Sequence, residues 1–129
     1  SPPMNILDGR IETADGRRRF VGPIPVEIPG LAGAALDDGP AAVGIRSEEL
    51  LLTTAGTDGA FPAVIELVEP VGADIFLTAT VEGGAIITIR VDAETTVAEG
   101  ENVQVMAAPG AIRVFDGAGD RVRLSGDPA

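Results

Sequence analysis

The chain has 129 residues, enough for one ordinary domain, and 45% of them are hydrophobic although only 3% are aromatic. Its net charge of −11 disfavours contact with nucleic-acid phosphates, and so few aromatic side chains offer little surface for base stacking. Cysteine, histidine and lysine are absent, which excludes a disulfide framework, a thiolate metal site, a histidine general base and a lysine-containing phosphate loop.

The composition favours an all-β fold with short connecting turns. Seventeen glycines and ten prolines leave no uninterrupted stretch of about 12 helix-favouring residues. The core must be built from Val, Ile, Leu and Ala, and the β-branched members of that set suit strands. No apolar run approaches the roughly 20 residues that span a bilayer, and no signal peptide is visible. No linker is long enough to divide the chain, so we expect a single domain over residues 1–129, and the start at Ser1 rather than Met indicates a piece processed or excised from a longer protein.

Alternating apolar residues predict strands over 4–12 and 17–21, joined by a turn at Asp15-Gly16. Residues 24–28 also alternate, but Pro25 indicates a sheet edge or an irregular segment, since proline cannot donate to a ladder. The rest of the first half is expected to contain three features. These are loops over 30–40 and 53–59, a short buried strand over 42–45, and a turn over 46–50 in which Ser47 could cap one helical turn.

The second half gives clearer strand patterns. An apolar run covers residues 61–71, and residues 74–82 and 85–92 alternate on either side of Gly83-Gly84. A two-residue Gly-Gly loop is typical of a type I′ hairpin, which would place Val81 opposite Ile86 and Thr80 opposite Ile87. Both faces of that hairpin are apolar, as expected for a small closed or nearly closed barrel.

Two further strands are predicted near the end of the chain, over residues 100–108 and 111–115. Pro109-Gly110 would join them in a type II turn, and Asp116-Gly117 makes the next turn. Residues 126–129 are expected to fray.

Few side chains offer chemistry. The adjacent acids Asp37-Asp38 and Glu48-Glu49 could form a catalytic carboxylate pair, but in turn-like segments we interpret them as solvated. The arginines at 17–19 could contact an acidic partner, although in so acidic a chain we expect them to offset its own carboxylates. Residues 124–126, Leu-Ser-Gly, match the start of the ABC signature sequence but lack its continuation, so they are interpreted as a polar tail.

Four segments, in order, resemble one known family. Residues 1–7 resemble the peptide that follows the nucleotide-binding domain in maltose- and glycerol-phosphate-type ABC importer ATPases. Residues 44–50 resemble the family's Gly-Ile-Arg-Pro-Glu-His-Leu motif, and residues 66–74 its Val-Glu-Pro-Leu-Gly-Ala/Asn-Glu segment. Residues 111–116, followed by 119–121, resemble its closing His-Leu-Phe-Asp and Thr-Gly-Arg stretch. The matches span nearly the whole chain.

The resemblance implies a C-terminal OB-type (TOBE-like) β-barrel that regulates the ATP-binding subunit and joins two copies of it. The subunit would be cytoplasmic and held at the inner face of the membrane by the importer's membrane subunits, and an inhibitory protein could bind it. ATP and Mg²⁺ would belong to an N-terminal domain outside this chain, which would need no cofactor. The chain departs from the family at Ser47, where proline is usual, and at Glu49 and near Arg113, where histidine is usual.

The matching motifs supply the candidate interface residues, which share no obvious catalytic chemistry. They are Gly44, Ile45, Arg46, Glu48, Glu69, Gly72, Asp74, Phe115 and Asp116. Arg46 and Glu48 could form an intersubunit ion pair or a local pair that holds the turn. Around Gly72, we expect Pro70 and the glycine to shape a bend whose acids face water.

Two other functions stay open. A small-ligand sensor of the MOP type would bind oxyanions through backbone N–H groups and hydroxyls, and one set of residues could supply them: Gly72, Thr78, Thr80, Gly83 and Gly84. The acidic charge works against such a site. A nucleic-acid-binding OB domain is the third possibility, disfavoured by charge and by the shortage of aromatic residues.

Overall fold

The computed structural model describes residues 3–108 and 110–127. The described chain is all-β, as predicted, with ten strands and one 3₁₀ turn at Ser47–Glu49. The strands are β1 (Met4–Ala14), β2 (Arg17–Val21), β3 (Gly39–Arg46), β4 (Leu50–Thr53), β5 (Phe61–Val71), β6 (Asp74–Val81), β7 (Ile86–Asp92), β8 (Asn102–Ala107), β9 (Arg113–Phe115) and β10 (Arg121–Val122). Every strand pair is antiparallel.

The strands form two five-stranded sheets. The first has the order β10-β9-β3-β1-β2 and the second β4-β8-β5-β6-β7. Alternate side chains of each sheet point inward and share one core, because successive residues of a strand face opposite sides. Fully buried examples are Ile11 and Val43 in the first sheet and Ile65, Leu77 and Ile89 in the second.

The side chain of Asn5 joins the two sheets. Its Nδ2 donates to the carbonyl oxygens of Thr88 at 2.9 Å and of Ile45 at 3.1 Å, and its Oδ1 accepts from the N–H of Thr88 at 2.7 Å. Thr88 lies in β7, an edge strand, so Asn5 satisfies backbone groups that a further strand would otherwise pair. The expected barrel is therefore two sheets around one core, linked here by an amide side chain rather than by a continuous ladder.

Two strands were not predicted, and one segment takes the irregular form that the sequence left open. Residues 24–28 form no strand, which agrees with the irregular alternative that Pro25 left open, and Ile24 is nevertheless buried. β4 and β10 were missed, because β4 is an apolar run without alternation and β10 has only two residues. Both are recognisable only from their partners, β8 and β9.

The β6–β7 hairpin differs by one residue from the predicted register. Thr80 pairs with Ile86 and Ala79 with Ile87. The N–H of Val81 donates to the carbonyl of Ala85 at 2.9 Å, so the loop has three residues instead of two and the type I′ prediction was wrong. A shift of one residue exchanges the faces of a strand. Ile87 consequently lies in the core, whereas Ile86 is 62% exposed.

The turn after β3 forms as predicted, but Ser47 does not cap it. Arg46 occupies the cap position, and Ser47 is fully buried with no hydrogen-bond partner for its hydroxyl within the described ranges. The N–H of Ser47 donates to the carbonyl of Pro3 at 3.0 Å, which ties the start of β1 to this turn.

Residues 122–124 pack against the fold and a turn follows them. Leu124 is buried, its N–H donates to the Asp127 carboxylate at 2.8 Å, and the N–H of Asp127 donates to the carbonyl of Leu124 at 3.1 Å; the expected fraying of residues 126–129 stays a prediction. Residues 128 and 129 lie outside the described part, as does Pro109 of the predicted type II turn. The N–H of Ser125 donates to the carbonyl of Gly30 at 3.3 Å, so residues 124–126 pack against the 30–36 loop.

Candidate interface

The outer face of the first sheet carries an apolar cluster. The strand register places Ile6 beside Gly44 and Met4 beside Arg46, and β9 adds Phe115 beside Ala42. Gly44 has no side chain, and atoms of Phe115, Met4 and Ile6 lie 2.9, 3.0 and 3.3 Å from the position that a Cβ at Gly44 would occupy. The glycine thus leaves space for three apolar side chains to meet above the sheet. We call Met4, Ile6, Gly44 and Phe115 the Phe115 face.

A groove of about 470 Å³ lies beside this cluster, lined by Ile6, Asp8, Pro40, Phe115 and Asp116 among others. Met4 is 36% and Ile6 53% exposed. A contiguous exposed apolar surface next to a groove is typical of a contact site for another molecule. The structure brings together Gly44 from one motif and Phe115 and Asp116 from another.

Arginines border the Phe115 face. Arg46 lies opposite Met4 and Arg121 opposite Phe115, and both are exposed. Within residues 3–108 and 110–127, neither guanidinium has a carboxylate within 4.0 Å. In a chain with twenty carboxylates and nine arginines, two exposed arginines without a close ion pair suit an acidic contact, although Asp8 and Asp116 also line the adjoining groove.

Of the two alternatives for Arg46 and Glu48, the local ion pair does not form in the described part of the chain, where Glu49 makes the contacts instead, and the intersubunit pair stays a prediction. One oxygen of Glu49 accepts from Arg113 Nη1 at 2.8 Å and from the N–H of Arg46 at 3.0 Å. Its carbonyl accepts from the N–H of Ala108 at 2.7 Å. Glu49 thereby ties the β3–β4 connection to the β8–β9 connection, the two places where these strands pass between the sheets. The two departures from the family's histidines, Glu49 and Arg113, are therefore partners.

Partial burial raises the pKa of Glu49, but the hydrogen bonds from Arg113 and the Arg46 N–H, with the charges of both arginines, outweigh it and hold the pKa below its usual value. A lowered folded-state pKa means that the carboxylate stabilises the fold fully above its unfolded value of about 4.3. This contribution is lost as the pH falls through the folded-state value.

The Glu49→Gln variant is expected to unfold about 1 kcal/mol more easily than the parent at pH 7, because a charge-assisted contact becomes neutral. The difference should shrink as the pH falls through the lowered pKa of Glu49, where the parent is also neutral at this position. Urea unfolding at pH 7 and about pH 3 measures it. Glu48→Gln, at an exposed neighbouring carboxylate, is the control and should change little. A Glu49→Gln difference that is equal at both pH values would contradict the ion-pair explanation.

The remaining candidates lie elsewhere. Ile45 is fully buried, and Glu48 is exposed. Glu69, Gly72 and Asp74 belong to the β5–β6 hairpin of the second sheet, so the structure does not bring them to the Phe115 face of the first. Asp74 does not simply face water, because it pairs with Arg90 at 2.8 Å.

The residues considered for an oxyanion site do not converge. Gly72 lies at the start of β6, while Gly83 and Gly84 follow its end. An eight-residue strand separates them, which is about 25 Å in extended chain. One chain therefore cannot gather this whole set around one anion.

Charged runs elsewhere hold loops in place. Arg18 Nη1 donates to the carbonyl of Ala34 at 2.8 Å, so this arginine fixes the 30–36 loop rather than balancing a carboxylate. Asp38 accepts hydrogen bonds from the N–H and hydroxyl of Thr13, both at 3.0 Å. Asp116 accepts from the N–H groups of Ala118 and Asp120, which shapes the β9–β10 turn. In the described residues, no helix has the length and apolar character needed to cross a bilayer.

Together, the two sheets, the short turns and the shared β-branched core define an all-β domain of the OB type. Comparison with solved structures agrees: the cytoplasmic molybdate-binding protein ModG superimposes with a TM-score of 0.67 over 85% of this chain and 94% of that chain, at 14% identity. At that identity the likeness shows the fold alone.

The chain belongs to the TOBE domain family, whose profile matches residues 43–115. A similar protein is the sn-glycerol-3-phosphate import ATP-binding protein UgpC of Paracoccus denitrificans, 30% identical over 90% of this chain and 31% of that protein. The UgpC of Rhizobium meliloti is 34% identical over 95% of this chain and 32% of its own length. The chain thus spans about a third of the length of these relatives. The resemblance to the TOBE-like domain of importer ATP-binding subunits is confirmed.

Sequence reasoning missed five contributors to these sites: Met4, Asn5, Ile6, Arg113 and Arg121. Ile6 and Asn5 fall in the first matching segment, whose alternation placed them on opposite faces of β1. That alternation would have predicted an exposed Ile6 if the face of β1 that points to the core had been known. Nothing local indicates the contact of Arg113 with Glu49, since 64 residues separate them.

Proposed function

We propose that this chain is the regulatory and dimerisation domain of the ATP-binding subunit of an ABC-type importer for carbohydrate or a related small solute. The observation that carries the proposal is the match to import ATP-binding proteins across 90% or more of the chain. The Phe115 face supports it, because it offers an exposed apolar contact surface without catalytic groups.

In this proposal the chain does not hydrolyse ATP. ATP and Mg²⁺ bind to an N-terminal domain of the subunit outside these residues, and the subunit sits on the cytoplasmic side of the membrane through the importer's membrane subunits. The domain holds two ATP-binding subunits near each other, which raises their effective concentration when their nucleotide-binding parts separate. The same surface can receive a regulatory protein. The transported solute is selected by other components.

The test uses the ATP-binding subunit that contains this chain, with Ile6→Glu as the variant. Dimerisation without nucleotide should weaken by about tenfold or more, because a charge enters an apolar contact, while ATP binding per subunit stays unchanged. Ile86→Glu is the matched control, since Ile86 is also an exposed isoleucine on a strand but lies in the other sheet. A dimer that withstands removal of the whole domain, with transport and its control unaltered, would overturn the proposal, as would ATP turnover by this chain alone.

Oxyanion sensing is the alternative function, suggested by the shared fold with ModG and opposed by the net charge of −11. Thermal unfolding with molybdate, sulfate, phosphate and sugars separates the two functions. A ligand at 100 times its dissociation constant stabilises a protein by about 2.7 kcal/mol, so a specific anion would raise the unfolding temperature visibly. The importer proposal expects no such shift.

A further inference from the structure

We propose that two copies of this chain pair reciprocally, with the acidic β5–β6 arm of each copy lying on the Phe115 face of the other. The arm is defined as residues 66–76. This inference rests on the proposed dimerisation function and specifies the surfaces that would perform it.

The arm extends beyond its own sheet. β8 pairs with β5 only from Phe61 to Val64, and residues 100 and 101 continue the contact to Ile65. A bulge at Glu66 follows, where the register shifts between Ile65 and Leu67. In the described chain, residues 67–71 pair with β6 alone, so their other edge has no strand beside it.

The arm presents apolar side chains beside an acidic one. Leu67 is 46% and Val71 51% exposed, and Glu69 lies between them on the same face of the strand. The two exposed aliphatic side chains can fill the apolar part of the groove, and the carboxylate between them can reach Arg121, which lies beside Phe115, rather than Asp8 and Asp116 of the groove lining. The groove at Phe115, about 470 Å³, is within the size range of sites that hold drug-sized ligands and can admit an aliphatic side chain.

Charge decides which surfaces can meet. Residues 50–107 carry nine carboxylates and one arginine, whereas the rest of the chain carries eleven carboxylates and the other eight arginines, so the cationic side chains are concentrated outside the arm's half of the fold. Two copies of net charge −11 repel each other, so association must bring unlike patches together. Face against face would bring the exposed Arg46 and Arg121 of both copies into one contact, offset only by Asp8 and Asp116 of each groove, and arm against arm would bring the Glu69 carboxylates together. Arm on face opposes Glu69 to an arginine.

A reciprocal contact also gives a closed dimer. Each copy contributes one arm and one face, so a two-fold axis forms the same contact twice and leaves neither surface free. A single-sided contact would instead propagate into rings or filaments.

Cysteine crosslinking tests the pairing directly, because the chain has no cysteine of its own. A copy with Ile6→Cys is mixed with a copy of different mass that carries Leu67→Cys, under mild oxidation. A disulfide requires Cα atoms within about 7 Å, so the 6–67 product should exceed both the 6–6 and the 67–67 products. Ile86→Cys mixed with Ile6→Cys is the control and should give only background. A dominant 6–6 product, or no product, would overturn the arm-on-face pairing.

Charge reversal gives a second, independent readout by sedimentation equilibrium. Glu69→Arg and Arg121→Glu change the net charge in opposite directions, yet each should weaken self-association by about tenfold, and the double variant should recover most of it. Glu82→Arg, at the β6–β7 turn, makes the same charge change as Glu69→Arg and should not weaken association. Single variants without effect, or a double variant without recovery, would refute the pairing. If the charge variants refute the pairing but Ile6→Glu still weakens dimerisation of the full subunit, the proposed dimerisation function is supported and only the arm-on-face geometry is wrong.

Discussion

Replacing Asn5 by alanine is expected to lower the free energy of unfolding by about 3 kcal/mol. The alanine variant loses three hydrogen bonds at once, two donated to the carbonyls of Thr88 and Ile45 and one accepted from the N–H of Thr88. Those backbone groups sit where the two sheets meet, and each one left without a partner in a buried setting costs about 1–3 kcal/mol. The loss exceeds that of an ordinary surface asparagine because no strand replaces the missing amide.

Far-UV circular dichroism during urea unfolding measures this effect, since the chain lacks Trp and Tyr for fluorescence. Asn102→Ala is the matched control: Asn102 is the chain's other asparagine and is exposed at the start of β8, so its loss should stay within about 0.5 kcal/mol. Asn5→Asp adds a second check, because a carboxylate accepts hydrogen bonds but cannot donate the two that Nδ2 provides. Equal stability of Asn5→Ala and Asn102→Ala would show that Asn5 does not link the sheets.

Replacing Gly30 by alanine is expected to cost about 3 kcal/mol and to detach the end of the chain. Gly30 has a φ of +83°, a left-handed conformation that costs an alanine about 1–2 kcal/mol. A Cβ there would also meet the backbone of Ser125, with its nitrogen only 2.7 Å away and its carbonyl oxygen closer still. Backbone atoms cannot rotate aside, so the segment that buries Val122 and Leu124 must move.

Gly16→Ala separates the cost of the left-handed backbone conformation from the cost of the contact with Ser125. Gly16 has a similar φ of +74° but nothing within 4 Å of the added Cβ, so its cost should be limited to the conformational part. Unfolding free energies give the difference, and limited proteolysis should cleave near residue 124 faster in Gly30→Ala than in Gly16→Ala. If both variants lose the same stability and resist the protease equally, the close packing of Ser125 on Gly30 does not support the end of the chain.

Several parts of the fold were predictable from local patterns. Residues 61–71 and 17–21 form strands with the bounds that their composition and flanking turns indicated. Pro25 limited residues 24–28 to a sheet edge or an irregular segment, and the structure shows the irregular one, in which Ile24 still reaches the core. In each case the information lies within a few residues, in the alternation of side chains or in the missing N–H of proline.

Predictions of strand register and of ion-pair partners failed where these depend on residues far apart in sequence. The β6–β7 register was misassigned because a Gly-Gly pair fits a two-residue loop, while burial of Ile87 with Ala79 favours the three-residue one. Arg46 and Glu48 are close in sequence and carry opposite charges, yet Glu49 turns toward Arg113, which is 64 residues away. The charge pattern of a short segment does not show which charged residue a distant strand will place beside it.

Composition and two-residue periodicity were enough to predict an acidic, all-β domain without histidine or lysine chemistry, because both signals are local. Three contacts could be recognised only in the folded chain: Met4, Ile6 and Phe115 meet over Gly44, Asn5 links the sheets, and Glu49 pairs with Arg113. These contacts join strands far apart along the chain. Their geometry follows from sheet order and register, which are set when the whole apolar core is buried at once.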